Sequence, residues 1–173
     1  MAKLEFVKVI RDPIHGYIHL TNLELSIINT KIFSRLRNIQ QSATAYLTYP
    51  SHTVNRYTHS LGVMEFASKM LQAAFESTPQ DKLKKFRKAF SKEFKSAMPD
   101  VESMAFKIVR LAGLLHDIGH LPFSHLSEGA IKSREVEIYK KELAEWRDYT
   151  SYAKGGLHEF ATYQIIKTNK EGS

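Results

Sequence analysis

One stretch constrains this chain more than any other. Leu111-Ala112-Gly113-Leu114-Leu115 is apolar on every side of a helix, and it runs directly into HDIGHLPFSHLSEG. A helix with no polar face has to be buried. Its end therefore delivers His116 and Asp117 to a protein interior, where polar groups are costly unless something satisfies them. Three of the eight histidines, at positions 116, 120 and 125, fall within ten residues. Packing alone does not call for so many titratable groups in one place. A divalent metal does, because neutral imidazole and carboxylate are good ligands for Zn, Mn, Fe or Ni. The chain has no cysteine, which excludes disulfides and thiolate metal sites.

The rest of the chain reads as helices around that centre. EFVKVIRDPIHGYIHL, residues 5–20, alternates apolar and polar on both sides of Asp12-Pro13 and predicts a hairpin that turns at DPIHG. Thr21 or Asn22 is placed to cap a short helix through Asn29, and Thr30 another from Lys31 to about Gln40. Residues 44–55 contain Pro50 and read as loop. From Tyr57 to Phe75 the pattern is helical, with His59, Val63, Phe66, Met70 and Ala74 on one stripe expected to face the core. Residues 81–96 form an amphipathic pattern, with Leu83, Phe86, Phe90 and Phe94 opposite the lysines. Asp100 can cap the helix that leads to His116. Gly119 and Pro122 end that helix. A polar helix is expected at 134–148, and the last helix begins near His158 after Gly155-Gly156. The fold class implied is all-α, a helical bundle with a small N-terminal β-hairpin. The length suits a single domain over 1–173, with a hairpin arm at 1–21 and a helical core at 22–173.

The net charge of +7 is concentrated in one place. Residues 81–95 hold seven Lys/Arg against two acids, so the basicity belongs to one segment and not to the whole surface. A solvated lysine face over a core stripe explains it better than nucleic-acid binding, which stays as a rival reading tied to Lys84, Lys85 and Lys88. No apolar run approaches the ~20 residues of a membrane span. The N-terminus lacks the apolar region of a signal peptide. The default expectation is a cytoplasmic protein with no membrane partner.

The metal reading extends to His59, which lies on the apolar stripe of a different helix and is the natural third ligand. Taken alone, a histidine on such a stripe is more often a satisfied core residue. Beside the HDIGHLPFSH cluster the balance shifts towards a metal site held by His59, His116 and Asp117. His120 would fall one turn beyond His116, on the same helix face. Arg56, one turn before His59, is placed to grip a phosphate with parallel hydrogen bonds. Metal, arginine and several histidines together suggest hydrolysis of a phosphate ester or anhydride, with a neighbouring histidine protonating the leaving oxygen. His15, His19 and His52 sit in turn or loop contexts and read as structural or exposed.

At these residues the chain resembles the HD superfamily of metal-dependent phosphohydrolases, and most closely its deoxynucleoside triphosphate triphosphohydrolase branch. The stretches that carry the resemblance are DPIHGYIHL, TKIFSRLRNIQQ, NRYTHSLGV, LLHDIGHLPFSH and GLHEFA. The resemblance implies that His59, His116 and Asp117 hold a divalent metal (Zn, Mn, Fe, Ni or Mg), and that Arg56 contacts phosphate. It implies a catalytic His125–Glu128 pair, further active-site histidines at His120 and His158, and a sugar contact at Gln41. It implies a nucleotide substrate and a homo-oligomer. The reaction expected is hydrolysis of dNTPs to deoxynucleoside and triphosphate. Alternatives are another nucleotide, mono- or cyclic, or an HD module that binds nucleic acid without turnover. The branch carries a fourth metal ligand, an Asp on a helix beyond the His-Glu motif. The last Asp here is Asp148, so the chain is expected to be an N-terminal portion. Some members bind a guanine nucleotide through the hairpin and the RLR helix. Lys8, Arg35 and Arg37 fit that pattern, whereas Arg11, Tyr17 and Asn29 depart from it.

Overall fold

The structure is a computed structural model that describes residues 4–94, 100–133, 141, 143–146 and 156–171. Its elements are a two-stranded sheet and a series of helices, as the sequence pattern implies. The chain divides into two compact units, Met1–Ile27 with Leu61–Leu114, and Ile28–Ser60 with Leu115–Ser173.

The first unit opens with strands β1 (Lys8–Asp12) and β2 (Gly16–Leu20), antiparallel from the pair Lys8–Leu20 to the pair Asp12–Gly16. The turn forms because Asp12 Oδ1 accepts hydrogen bonds from the Ile14 and His15 N–H groups, at 2.9 and 2.8 Å. Gly16 supplies the positive φ of 78° that closes it. Ile18 and Leu20 are fully buried while Tyr17 and His19 face out, the period-two pattern of a half-buried strand. Helix α1 (Asn22–Ile28) starts with a capping box. The Thr21 N–H donates to the Glu24 carboxylate at 2.8 Å, and the Glu24 N–H donates back to Thr21 Oγ1 at 3.4 Å.

Glu24 also serves the interior. Arg110 on α5 (Val101–Leu115) donates to both of its carboxylate oxygens, at 2.6 and 3.0 Å, and each residue is only 2% exposed. Arg110 further donates to the His19 carbonyl at 2.7 Å, which ties α1, α5 and β2 together. A Cβ added at Gly113 would stand 3.0 Å from Met64 Cα, so glycine lets α5 lie close against α3 (Arg56–Ser77). Helix α4 (Gln80–Glu93) buries Leu83 and half-buries Phe86 and Phe90, with its lysines in solvent. Phe94 lies past the helix end and is 46% exposed, so the aromatic face expected to be buried stops one turn early.

The expected stripe on α3 needs a larger correction. Phe66 and Met70 are 58% and 60% exposed, and Ala74 also faces solvent. The buried positions are Arg56, Tyr57, Ser60, Leu61, Gly62 and Met64, a stripe rotated from the predicted one. The helix carries apolar residues on more than one side, so spacing alone did not select the packed face.

In the second unit Thr30 caps α2 (Lys31–Ser34), accepting from the Phe33 N–H at 3.2 Å. The expected helix to Gln40 ends at Ser34 and tightens into a 3-10 turn over Arg35–Asn38. A bridge between Gln40 and Asn55 closes the 41–54 loop, which contains a short 3-10 turn at Ala45–Leu47. Helix α6 spans His125–Ser133 and α7 spans Leu157–Glu171. Of the helix expected at 134–148, residues 143–146 are helical, and the other described position is Lys141; 134–140, 142, 147 and 148 lie outside the described residues. Trp146, Leu157 and Phe160 form a buried cluster with Leu121, Ile131, Leu143 and Tyr163 packed against it.

Candidate metal and phosphate site

Gln41, Arg56, His59, His116, Asp117, His120, His125, Glu128 and His158, the candidate site residues named from the sequence, all belong to the second unit. Helix α5 ends at Leu115, so His116 and His120 do not share a continuous helix face as expected. The HDIGH segment instead runs as turns, with the Ile118 N–H bonded to the Leu115 carbonyl and the His120 N–H to the Asp117 carbonyl. Two side chains brace these turns. Arg35 donates to the carbonyls of Ile118 and, at 2.6 Å, His120. Thr162 on α7 accepts from the Gly119 N–H at 2.9 Å and donates to the His116 carbonyl at 3.2 Å. Gly119 is required there, because any Cβ would collide with the His158 carbonyl and the Thr162 nitrogen.

Asp117 is the hub. It is 3% exposed. Its Oδ2 accepts from Arg56 Nη1 at 2.6 Å and lies 3.5 Å from His59 Nε2. Its Oδ1 lies 3.3 Å from His116 Nε2 and 3.4 Å from His120 Nε2. Burial pushes the Asp117 carboxyl towards a higher pKa. The nearby ring nitrogens of His116 and His120 and the Arg56 guanidinium outweigh it and hold the group far below the usual carboxylate range. Asp117 is therefore a carboxylate at neutral pH. Burial pushes the His59 imidazole below its ordinary 6.5, more than the Asp117 charge raises it, so its lone pair is available at pH 7. Donor atoms of His59, His116 and Asp117 lie within 4.8 Å of one another, and the two imidazoles are about a third exposed.

Two imidazoles and one buried carboxylate make a donor set suited to a divalent cation, with room for exchangeable positions on the exposed side. His120 adds a second indication. It is 1% exposed, yet neither ring nitrogen has a hydrogen-bond partner of acceptable geometry. Its contacts with Asp117 at 3.4 Å and with Glu128 at 3.8 Å are electrostatic only. Polar atoms buried in this state are costly unless a ligand satisfies them. The residues present fit a divalent cation.

Arg56 is 3% exposed and fully engaged. Besides Asp117 it donates to Ser124 Oγ at 3.2 Å and to the Gln41 carbonyl at 3.3 Å. Contact with a phosphate requires it to exchange one of these partners. The Gln41 side chain is turned inward, and its Oε1 is buried without a hydrogen-bond partner. Ser124 was not singled out from sequence. It takes a left-handed φ of 49°, next to Phe123 at 63°, and its hydroxyl donates to the Gln40 carbonyl at 2.8 Å. Left-handed conformations at non-glycine residues cost energy and concentrate at functional sites. The only signal for Ser124 was its place between Pro122 and His125.

A second cluster adjoins the first. Glu128, on the first turn of α6, is approached by His158 Nδ1 at 2.6 Å and by His125 Nδ1 at 3.5 Å. The His120 and His158 rings stack at 4.1 Å with 13° between their planes. The residues named from the sequence thus fall into two adjacent groups, with His120 between them. Of the residues compared with a guanine-nucleotide site, Arg35 is committed to the HDIGH carbonyls, and Arg37 lies over the Tyr57 ring at 3.5 Å.

Among the described residues no helix is long and apolar enough to cross a membrane. The chain is similar to an HD domain-containing protein of Acanthamoeba polyphaga mimivirus, 29% identical over 99% of this chain and 41% of that protein. It is 37% identical to the deoxynucleoside triphosphate triphosphohydrolase SAMHD1 of Danio rerio, over 81% of this chain and 20% of that protein. It is 41% identical to an uncharacterized protein of Methanocaldococcus jannaschii, over 94% of this chain and 28% of that protein. The chain thus spans between about a fifth and two-fifths of these relatives' lengths. Residues 56–172, which contain both clusters, match the HD domain, and the chain belongs to that family of metal-dependent phosphohydrolases.

Proposed function

We infer that this chain is the metal-binding part of a phosphohydrolase acting on dNTPs, which releases deoxynucleoside and tripolyphosphate. The observation that carries this reading is the position of Asp117, ionised and flanked by His59 and His116, one imidazole away from a histidine cluster built on Glu128. The resemblance to SAMHD1, whose name gives a dNTP substrate, supports the substrate class.

His59, His116 and Asp117 would hold the cation, which supplies Lewis acidity towards a phosphoryl oxygen and an acidified water when bound. Arg56 keeps Asp117 ionised and fixes its rotamer, because the guanidinium occupies Oδ2 at 2.6 Å. In the reaction a water oxygen bonds to the α-phosphorus, the bond from phosphorus to O5′ breaks, and O5′ takes up one proton. His125 is the residue to deliver it. Its side chain is 66% exposed, within reach of substrate, and Glu128 orients it from 3.5 Å. His158, bonded to the other Glu128 oxygen, and His120 line the same place. Gln41 Oε1 is an acceptor without a protein partner and suits a sugar hydroxyl.

The test is product analysis. The protein is incubated with each dNTP and a divalent cation, and tripolyphosphate is separated from orthophosphate. Tripolyphosphate with deoxynucleoside is expected. Orthophosphate from nucleoside monophosphates, or opening of cyclic nucleotides, with dNTPs left intact would replace this substrate class by another.

A further inference from the structure

The cluster on Glu128 holds more donor atoms than proton transfer needs. A histidine–carboxylate pair uses one ring, yet three rings converge here. His158 Nδ1, His125 Nδ1 and His120 Nδ1 stand 2.6, 3.5 and 3.8 Å from Glu128 oxygens. One donor atom from each of the four residues lies within 4.8 Å of the other three. In a tetrahedral site with metal–nitrogen distances near ~2.0–2.1 Å, neighbouring donors stand roughly 3.3 Å apart. The three separations straddle that value. An ion enters once the His158–Glu128 hydrogen bond opens and the other two rings draw in by a few tenths of an ångström.

His120 supplies an independent reason. It is 1% exposed with neither ring nitrogen hydrogen-bonded, and Nδ1 is the nitrogen nearer Glu128 while Nε2 is nearer Asp117. Ligation at Nδ1 satisfies a buried polar atom that the protein itself leaves without a partner.

We propose that His120, His125, Glu128 and His158 form a second transition-metal site, separate from His59, His116 and Asp117. Three imidazoles and one carboxylate select zinc, cobalt or nickel over magnesium or calcium, which prefer oxygen ligands. The site is assembled from the loop after α5, the first turn of α6 and the first turn of α7. One consequence rests on the function proposed above: an ion held here occupies the His125–Glu128 pair, so excess zinc inhibits turnover where excess magnesium does not.

The test counts ions. The full chain is stripped with a chelator, titrated with Co²⁺ while the visible absorption is followed, and analysed for bound Zn²⁺ after desalting. Two equivalents are expected. His125→Ala should weaken one of them by at least about tenfold and leave the other. His116→Ala should lose the opposite one. His125 is mostly exposed, so its variant is expected to fold, and circular dichroism checks this. A single equivalent in the unsubstituted chain overturns the proposal, as do two equivalents retained in both His125→Ala and Glu128→Gln. Full retention in His116→Ala instead counts against the first site and the function built on it, and leaves the second standing.

Discussion

Arg56 and Asp117 form an ion pair of 2.6 Å with both side chains about 95% buried, and the pair sits against His59. Breaking such a pair by removing one partner leaves an uncompensated buried charge, which typically costs ~3–5 kcal/mol. Arg56→Ala is therefore expected to lower the melting temperature by about 6–20 °C for a chain of this size. Arg56→Lys should recover only part of that, since an ammonium cannot also reach Ser124 and Gln41. A thermal melt of the three proteins decides it, and an unchanged melting point for Arg56→Ala would show the pair to be inert.

Asp117→Ala should abolish binding at the first site. The loss in metal affinity should exceed the roughly 10–100-fold typical of losing a residue that only supports a ligand. Hydrolysis should fall with it. Elemental analysis beside a turnover assay checks the link, and turnover retained without bound metal would break it.

Acidification should destabilise the metal-stripped chain. Burial holds His120 below its ordinary 6.5, and His59 moves the same way. The unfolded chain protonates these rings near pH 6.5, and the folded chain only at lower pH. Between those values the unfolded state holds more protons, so stability is complete above about pH 6.5 and declines as the pH falls. For fully buried His120 the slope is at most ~1.4 kcal/mol per pH unit. Asp117 and Glu128, whose carboxyls are depressed, act only in the lower window below the ordinary carboxylate range. Melts from pH 7.5 to 5.5 should slope downward, and less so for His120→Gln. Parallel curves would refute the assignment.

In the first unit, Arg110→Ala leaves Glu24 as a lone interior anion and should cost about 3–5 kcal/mol. The double substitution Arg110→Met with Glu24→Met removes both charges and should recover most of it. Denaturant titration of single and double variants gives the coupling directly. A double variant no better than the single would mean that the bond to the His19 carbonyl dominates.

Gly119→Ala drives a methyl group into the backbone of α7 at His158 and Thr162, which cannot rotate away. A loss of several kcal/mol, on the order of other overpacking substitutions at their upper end, is expected. Near-normal stability, measured by denaturant, would show that α7 can shift.

Legibility in the sequence follows the range of the interactions. The hairpin was readable because Asp12 and Gly16 act within four residues, and the caps at Thr21, Thr30 and Asp100 act within three. The candidate metal ligands His116 and Asp117 were readable as a cluster because burial and polarity conflict at the end of α5. The packed face of α3 was not, since Phe66 and Met70 are as apolar as Leu61 and Met64, and distant neighbours choose between them. The brace from Arg35 was equally hidden, because its acceptors lie 83 and 85 residues away. Ser124 was missed because its role comes from a left-handed backbone that no residue type in PFSH demands.

His158 and Thr162 stand four positions apart on α7, one gripping Glu128 and the other clasping both ends of the His116–Gly119 turn. Two teeth cut one turn apart admit a single rotational setting of the rod that bears them. Inserting or deleting one residue between 158 and 162 swings one tooth by about 100° and disengages it. The same change made after Thr162 leaves both engaged, so length variation in this helix is tolerable beyond that threonine and not within the 158–162 turn.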